Sequence, residues 1–95
     1  MEPVHLSVVA FDVGDNRRRR QLTRVLESFG VRVLESVFEA WLTDAQCRKM
    51  ERQALACILP GADRLALYTL PPIDAQDRIV FGTGSRTQDR SYTIV

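Results

Sequence analysis

Apolar residues run almost unbroken from Val4 to Phe11, interrupted by His5 and Ser7, and a β-rich run of that length is too short for a free-standing helix. It predicts a first strand. Asp12-Val13-Gly14-Asp15-Asn16 then supplies turn formers and a helix N-cap at Asp15 or Asn16. Leu22, Val25, Leu26 and Phe29 recur at i, i+3, i+4 and i+7, while Arg17, Arg20, Arg24 and Glu27 fall mainly on other faces. The spacing predicts an amphipathic helix closed by Gly30. Arg32 to Trp41 mixes Val, Leu, Phe and Trp with Glu and Ser and reads as a second strand. Thr43 to Gln46 is a capping box that opens a helix through Leu55 and Ile58, stopped by Pro60-Gly61. Arg64 to Leu70 reads as a third strand and Arg78 to Phe81 as a short fourth. Gly82 to Ser91 is rich in Gly, Ser, Thr and Arg and is expected to be mobile. Tyr92 to Val95 returns to strand composition, a terminal strand open to pairing with another chain.

Read as β-α-β-β-α-β with an extra C-terminal strand, residues 1–95 make one ferredoxin-like α+β domain, two helices covering one face of an antiparallel sheet. The first strand carries apolar residues on both parities, so the other sheet face must also be buried. A second copy packed against it is the expected solution. Chain length points the same way: 95 residues bury only about 60–68% of the surface the unfolded chain exposes. Cys47 and Cys57 cannot staple the fold, because ten helical residues separate them by about 15 Å. The Val4 to Phe11 run fits neither a membrane span nor a signal peptide, so a soluble, cytoplasmic protein that does not engage membranes is expected.

Thirteen basic residues face twelve acidic ones, which excludes a wholly basic nucleic-acid coat. Distribution says more than the sum. Lys49 is the only lysine, and four of the arginines are consecutive, Arg17 to Arg20. Guanidinium groups grip phosphate bidentately, and this cluster sits at a helix start where N–H groups also favour anions. A solvated basic turn is the plainer reading, since consecutive residues spread round the helix. Asp12 stands directly after the first strand, where a carboxylate can hold a hard cation such as Mg²⁺ together with water and phosphate. An ordinary Asx-turn into the helix is the plainer reading of this residue taken alone. Asp15 can be an outer ligand or the N-cap. His5, the one histidine, rules out a multi-histidine zinc site. Gly82-Thr-Gly84-Ser85 lacks the ending of a P-loop. Phe38 and Trp41 can stack on bases or belong to the core.

Phe11-Asp12-Val-Gly-Asp15-Asn-Arg-Arg18-Arg19, followed by Gly30-Val-Arg32-Val-Leu-Glu-Ser36-Val37-Phe38-Glu39, resembles the second core CRISPR-associated protein family, small endoribonucleases of prokaryotic antiviral defence. The family pattern is Tyr-Asp-Ile-x-Asp-Asp-x-Arg-Arg, then Gly-x-Arg-Val-Gln-x-Ser-Val-Phe-Glu, and the resemblance spans roughly residues 4 to 81. It implies a ferredoxin-like homodimer in which two copies of Asp12 face each other across the two-fold axis and hold Mg²⁺ or Mn²⁺. It also implies metal-dependent cleavage of single-stranded RNA or double-stranded DNA, and a place between integrase dimers in spacer acquisition. Arg19 matches the family's helix-1 basic residue, Arg32 its strand-2 arginine and Phe38 its strand-2 aromatic; the C-terminal strand would pass to the partner. Phe11, Asn16 and Leu34 depart from the pattern at the Tyr, the second acid and the Gln.

Two functions follow as expectations. In the first, Asp12 holds the metal of an endonuclease, Arg18, Arg19 and Arg32 bind the nucleic acid, and Asp15 and Phe38 support them. In the second, the dimer is an inactive scaffold that binds duplex DNA through the same arginines and bridges integrase subunits. A ferredoxin-like peptide- or small-molecule-binding domain is a third class; Thr93-Ile-Val95 fits a PDZ ligand ending, but this leaves Asp12 and Ser-Val-Phe-Glu unexplained.

Overall fold

The computed structural model describes residues 2–70, 79–81 and 86–88. Its elements are β1 (His5–Asp12), α1 (Asn16–Glu27), β2 (Val31–Leu34), β3 (Val37–Leu42), α2 (Asp44–Leu55), β4 (Arg64–Leu70), β5 (Ile79–Phe81) and β6 (Arg86–Gln88). The first four strands form one sheet in the order β2-β3-β1-β4, antiparallel at every pairing. This is the ferredoxin-like α+β arrangement. It is reached differently from the sequence-based expectation, because Arg32 to Trp41 is a hairpin of two strands. Leu34 pairs with Val37, leaving Glu35 and Ser36 as a two-residue turn. Ser36 is the one turn-favouring residue there, and with no Gly, Pro, Asn or Asp beside it the signal in the composition is weak. The strand expected at Arg78 to Phe81 pairs instead with β6 in a separate two-stranded sheet, Ile79 opposite Gln88. Residues 86–88 are thus a strand within the stretch expected to be mobile, because a β-bridge partner was invisible to composition. Tyr92 to Val95 lies outside the described residues.

Alternation along β1 builds two cores. Val9 and Phe11 point to the helices, where they pack with Leu22 and Leu26 of α1, Met50 and Ala54 of α2, and Phe38, Ala40 and Leu42 of β3. Leu22, Leu26 and Met50 are at most 1% exposed, and burying each contributes about 1.5–3 kcal/mol. Leu6, Val8 and Ala10 point the other way and cluster with Val37 and Leu70, with Val33, Leu34 and Tyr68 packed against them. The second face is therefore buried within the chain at these positions. No helix among the described residues is long and apolar enough to cross a membrane.

Asp15 caps α1, its carboxylate accepting the Arg18 N–H at 2.9 Å. Thr43 and Gln46 close the capping box of α2 reciprocally, at 2.9 and 3.2 Å. That helix ends at Leu55, earlier than the Pro60-Gly61 signal suggests, and Cys57 follows it in a turn. Both cysteines are free thiols, and burial raises the pKa of Cys57. Gly30 behaves differently from the expected helix-closing residue. The helix is finished by Ser28, and Gly30 is needed for space: a Cβ there would collide with the Glu39 carbonyl oxygen and lie 2.6 Å from the Ala40 Cβ. Among the described residues Gly61 is the glycine that needs its conformational freedom, with φ at +88° in the turn between α2 and β4.

That turn presents Asp63, a buried carboxylate. Its oxygens accept the Leu59 N–H at 2.8 Å and two bonds from Arg18, Nε at 2.8 Å and Nη2 at 3.2 Å. The forked pair ties the first turn of α1 to the entry of β4, 45 residues away in sequence. It holds the Asp63 carboxyl below its ordinary range, chiefly through the Arg18 hydrogen bonds and then the Leu59 N–H, and raises Arg18 in turn.

Two outcomes follow. Gly30→Ala should destabilise the protein by about 1–3 kcal/mol in urea unfolding, because the neighbour in the way is β3 backbone. Asp63→Asn should be less stable than wild type at neutral pH. Since the native carboxyl titrates below the unfolded one, the contribution is complete above the unfolded value of about 4 and lost as pH falls through the lower native value. Unfolding curves of the two proteins should therefore converge in strong acid.

Candidate functional site

Asp12 is the last residue of β1 and the first exposed one after six buried positions. Strand alternation puts it on the face of Leu6, Val8 and Ala10, away from the helices. It lines a groove of about 400 Å³ with Ala10, Phe11, Ile58, Asp63, Arg64, Leu65 and Ala66. Its carboxylate forms no hydrogen bond or ion pair among the described residues. Asp63 shares the groove, but Arg18 and Leu59 already claim its oxygens. No cluster of three or more His, Cys, Asp or Glu side chains exists among the described residues. The donor set thus fits a hard cation that takes one or two carboxylates and fills the rest of its shell with water and phosphate. Asp12 is the side chain that would hold it.

Of the arginines expected to act together, Arg18 stands apart from Arg19 and Arg32. Arg18 commits Nε and one terminal nitrogen to Asp63, and its side chain is 31% exposed. Arg19 braces the β1–α1 connection, donating Nη1 to the Val13 carbonyl at 3.0 Å and Nη2 to Asn16 Oδ1. Arg32 lies over the Phe38 ring, 5.4 Å from its centroid. Arg19 and Arg32 meet along a second groove of about 200 Å³, lined also by Arg20, Thr23, Arg24 and Glu27. Arg20 and Arg24 are exposed and form no ion pair among the described residues. This groove, on the helix side, can take a phosphate or another compact anion.

Phe38 is 2% exposed and Phe11 7%, their rings stacked at 6.1 Å between centroids. Both are core residues, and Phe38 in addition seats the Arg32 guanidinium. The Phe11 ring thus fills the position of the family's Tyr without a hydroxyl. Asp15 is the N-cap of α1. His5 stands at the opposite end of β1, about 23 Å from Asp12 along the strand, with Nδ1 3.8 Å from Asp44. It cannot serve as a base at Asp12 of the same chain.

Sequence reasoning missed Asp63, Arg64 and Arg24, and reached Arg20 only as part of the Arg17 to Arg20 cluster. Arg20 and Arg24 were visible at helical spacing from one another. Asp63 and Arg64 carried no local signal, because only the antiparallel register of β1 with β4 brings Arg64 opposite Asp12.

Residues 5–78 match the family described as CRISPR associated protein Cas2. A curated relative from Chloroflexus aurantiacus, named CRISPR-associated endoribonuclease Cas2 3, is 35% identical over 94% of this chain and 96% of its own length. The crystal structure of a hypothetical protein from Thermus thermophilus superposes with a TM-score of 0.75, at 31% identity, over 90% of this chain and 99% of that one. A chain of a partial Cas6-RT-Cas1–Cas2 complex gives a TM-score of 0.58 at 28% identity, covering 72% of this chain and 80% of its own. The antiparallel β2-β3-β1-β4 sheet, the exposed Asp12 at the end of its buried β1 and the match across residues 5–78 agree: the chain belongs to the Cas2 family of CRISPR-associated proteins.

Proposed function

We propose that this protein is a metal-dependent phosphodiester endonuclease of CRISPR spacer acquisition, working as a homodimer. The observation that carries the reading is Asp12: an exposed carboxylate with unclaimed oxygens at the end of a buried strand, in a chain whose relatives are named endoribonucleases. When bound there, Mg²⁺ or Mn²⁺ supplies charge neutralisation at the scissile phosphate and activation of a water. One carboxylate per chain would hold such an ion weakly, so the Asp12 residues of two protomers would hold it together. Arg20, Arg24 and Arg32, with the donors that Arg19 has left beyond its bonds to Val13 and Asn16, grip the nucleic-acid backbone in the groove beside α1, charge-assisted hydrogen bonds fixing its position without reading its sequence. Arg18 acts on the fold, keeping the start of α1 against the entry of β4.

A second reading is supported by the neighbour from the Cas1–Cas2 complex. In it the chain is an architectural subunit that binds duplex DNA and an integrase partner without cutting. The absence of a histidine near Asp12 agrees with this reading, since the chain brings no imidazole base to the site.

Wild-type and Asp12→Asn protein, incubated with labelled single-stranded RNA and duplex DNA in Mg²⁺, Mn²⁺ or EDTA, separate the two. The nuclease reading expects cutting that EDTA abolishes and that falls by about 100-fold or more in the variant. No cutting by either protein, with duplex binding and integrase binding retained in both, would establish the architectural reading. Light scattering on the same samples should give the mass of a dimer.

A further inference from the structure

β4 begins at Arg64, and in the β1–β4 ladder Arg64 is the residue directly opposite Asp12. Residues opposite one another in an antiparallel pair project to the same side with Cβ atoms about 4.5–5.5 Å apart. The parity of β4 agrees: Tyr68 and Leu70, two and three pleats along, join the cluster of Leu6, Val8 and Ala10 on the face to which Asp12 belongs. Both side chains are exposed and both line the 400 Å³ groove. Yet they are not joined: no ion pair links Asp12 and Arg64 among the described residues. Arg64 has no other acidic partner there either. The adjacent residue Asp63, which could have neutralised it, is occupied by Arg18 and the Leu59 N–H.

The result is an unneutralised guanidinium beside the one open carboxylate of the groove. We propose that Arg64 is a substrate-binding residue that grips the phosphodiester adjacent to Asp12, forking two N–H donors onto its non-bridging oxygens. The inference rests on reading Asp12 as the residue where phosphodiester chemistry takes place. It assigns the phosphate-gripping role next to Asp12 to β4, whereas Arg18, which lies nearby in α1, is held by Asp63. The β1–β4 register fixes the Asp12–Arg64 spacing, and the Arg18–Asp63 pair anchors the strand entry that carries it. The groove therefore presents an acceptor for a hard cation and a planar donor for a phosphate side by side on rigid strands.

The test is binding in EDTA, where no metal contributes. Affinities of wild type, Arg64→Ala, Arg64→Lys and Asp12→Asn for a labelled single-stranded RNA and a labelled DNA duplex are measured across a salt series. Arg64→Ala should weaken binding of the preferred strand roughly tenfold and flatten the log-affinity against log-salt slope by about one per engaged Arg64. Arg64→Lys should restore the slope but only part of the affinity, since an ammonium replaces the charge and not the fork. Asp12→Asn should bind as tightly as wild type or tighter, because a carboxylate facing the phosphate is gone. Thermal unfolding of Arg64→Ala should match wild type, as expected for an exposed position. Unchanged affinity and slope in Arg64→Ala, with wild type binding and cutting normally, would overturn the assignment while leaving the nuclease reading intact. Equal losses in Arg64→Ala and Arg64→Lys together with a lowered melting temperature would also overturn it, showing a structural role. A wild-type protein that neither binds nor cuts either nucleic acid would remove both readings at once.

Discussion

β1 is buried on both faces along its entire interior, and every other element takes its place from that constraint. Six consecutive residues, Leu6 to Phe11, are shielded from water, odd positions by the two helices and even positions by the second cluster. At a sheet edge such a strand would leave one row of its backbone N–H and C=O groups unpaired. It is flanked accordingly by β3 and β4. The price of so apolar a strand is that only its end can be chemically useful. Asp12 is that end, its backbone held by the buried residues before it.

Close packing sets the rest of the geometry. The chain leaves α1 and passes within contact distance of β3 backbone at Gly30, which lets β2 pair on the outer side of β3. Arg32 then falls opposite Phe38 and lays its guanidinium over that ring. Phe38 in turn stacks on Phe11, the residue before Asp12. A continuous line of contact thus runs from the helix-side arginine groove through two core rings to the site on the far face. Loss of packing at Phe38 would disturb the seat of Arg32 and the strand that ends in Asp12 alike.

The four consecutive arginines illustrate how one composition feature divides among different duties. Helical geometry separates neighbours by about 100°, so the side chains leave the first turn of α1 in different directions. Arg18 reaches the buried Asp63, Arg19 bonds the loop behind it, and Arg20 joins Arg24 in the open groove. Forked pairing with a carboxylate and pairing with a phosphate draw on the same donors. A guanidinium engaged in the fold has fewer of them left for a ligand, so the charge seen in the sequence overstates the charge that can bind.

Local patterns alone determined β1, α1, α2 and β4, with the N-cap of α2, and narrowed the N-cap of α1 to Asp15 or Asn16, because apolar periodicity and capping residues act within a few positions. Asp12 could also be singled out from its place after an apolar strand, and Ser-Val-Phe-Glu at its distance from Asp12 pointed to the family. What the tertiary structure decided was everything that depends on register between distant segments. The split of Arg32 to Trp41 into a hairpin had only Ser36 to announce it, and β5 found its partner in a stretch whose composition suggested none. Asp63 and Arg18 lie 45 residues apart, and Arg64 meets Asp12 only through the β1–β4 ladder. A sequence records which side chains are available over a turn or two; strand register and packing decide which of them face each other, because those are set by burial summed over the whole sheet.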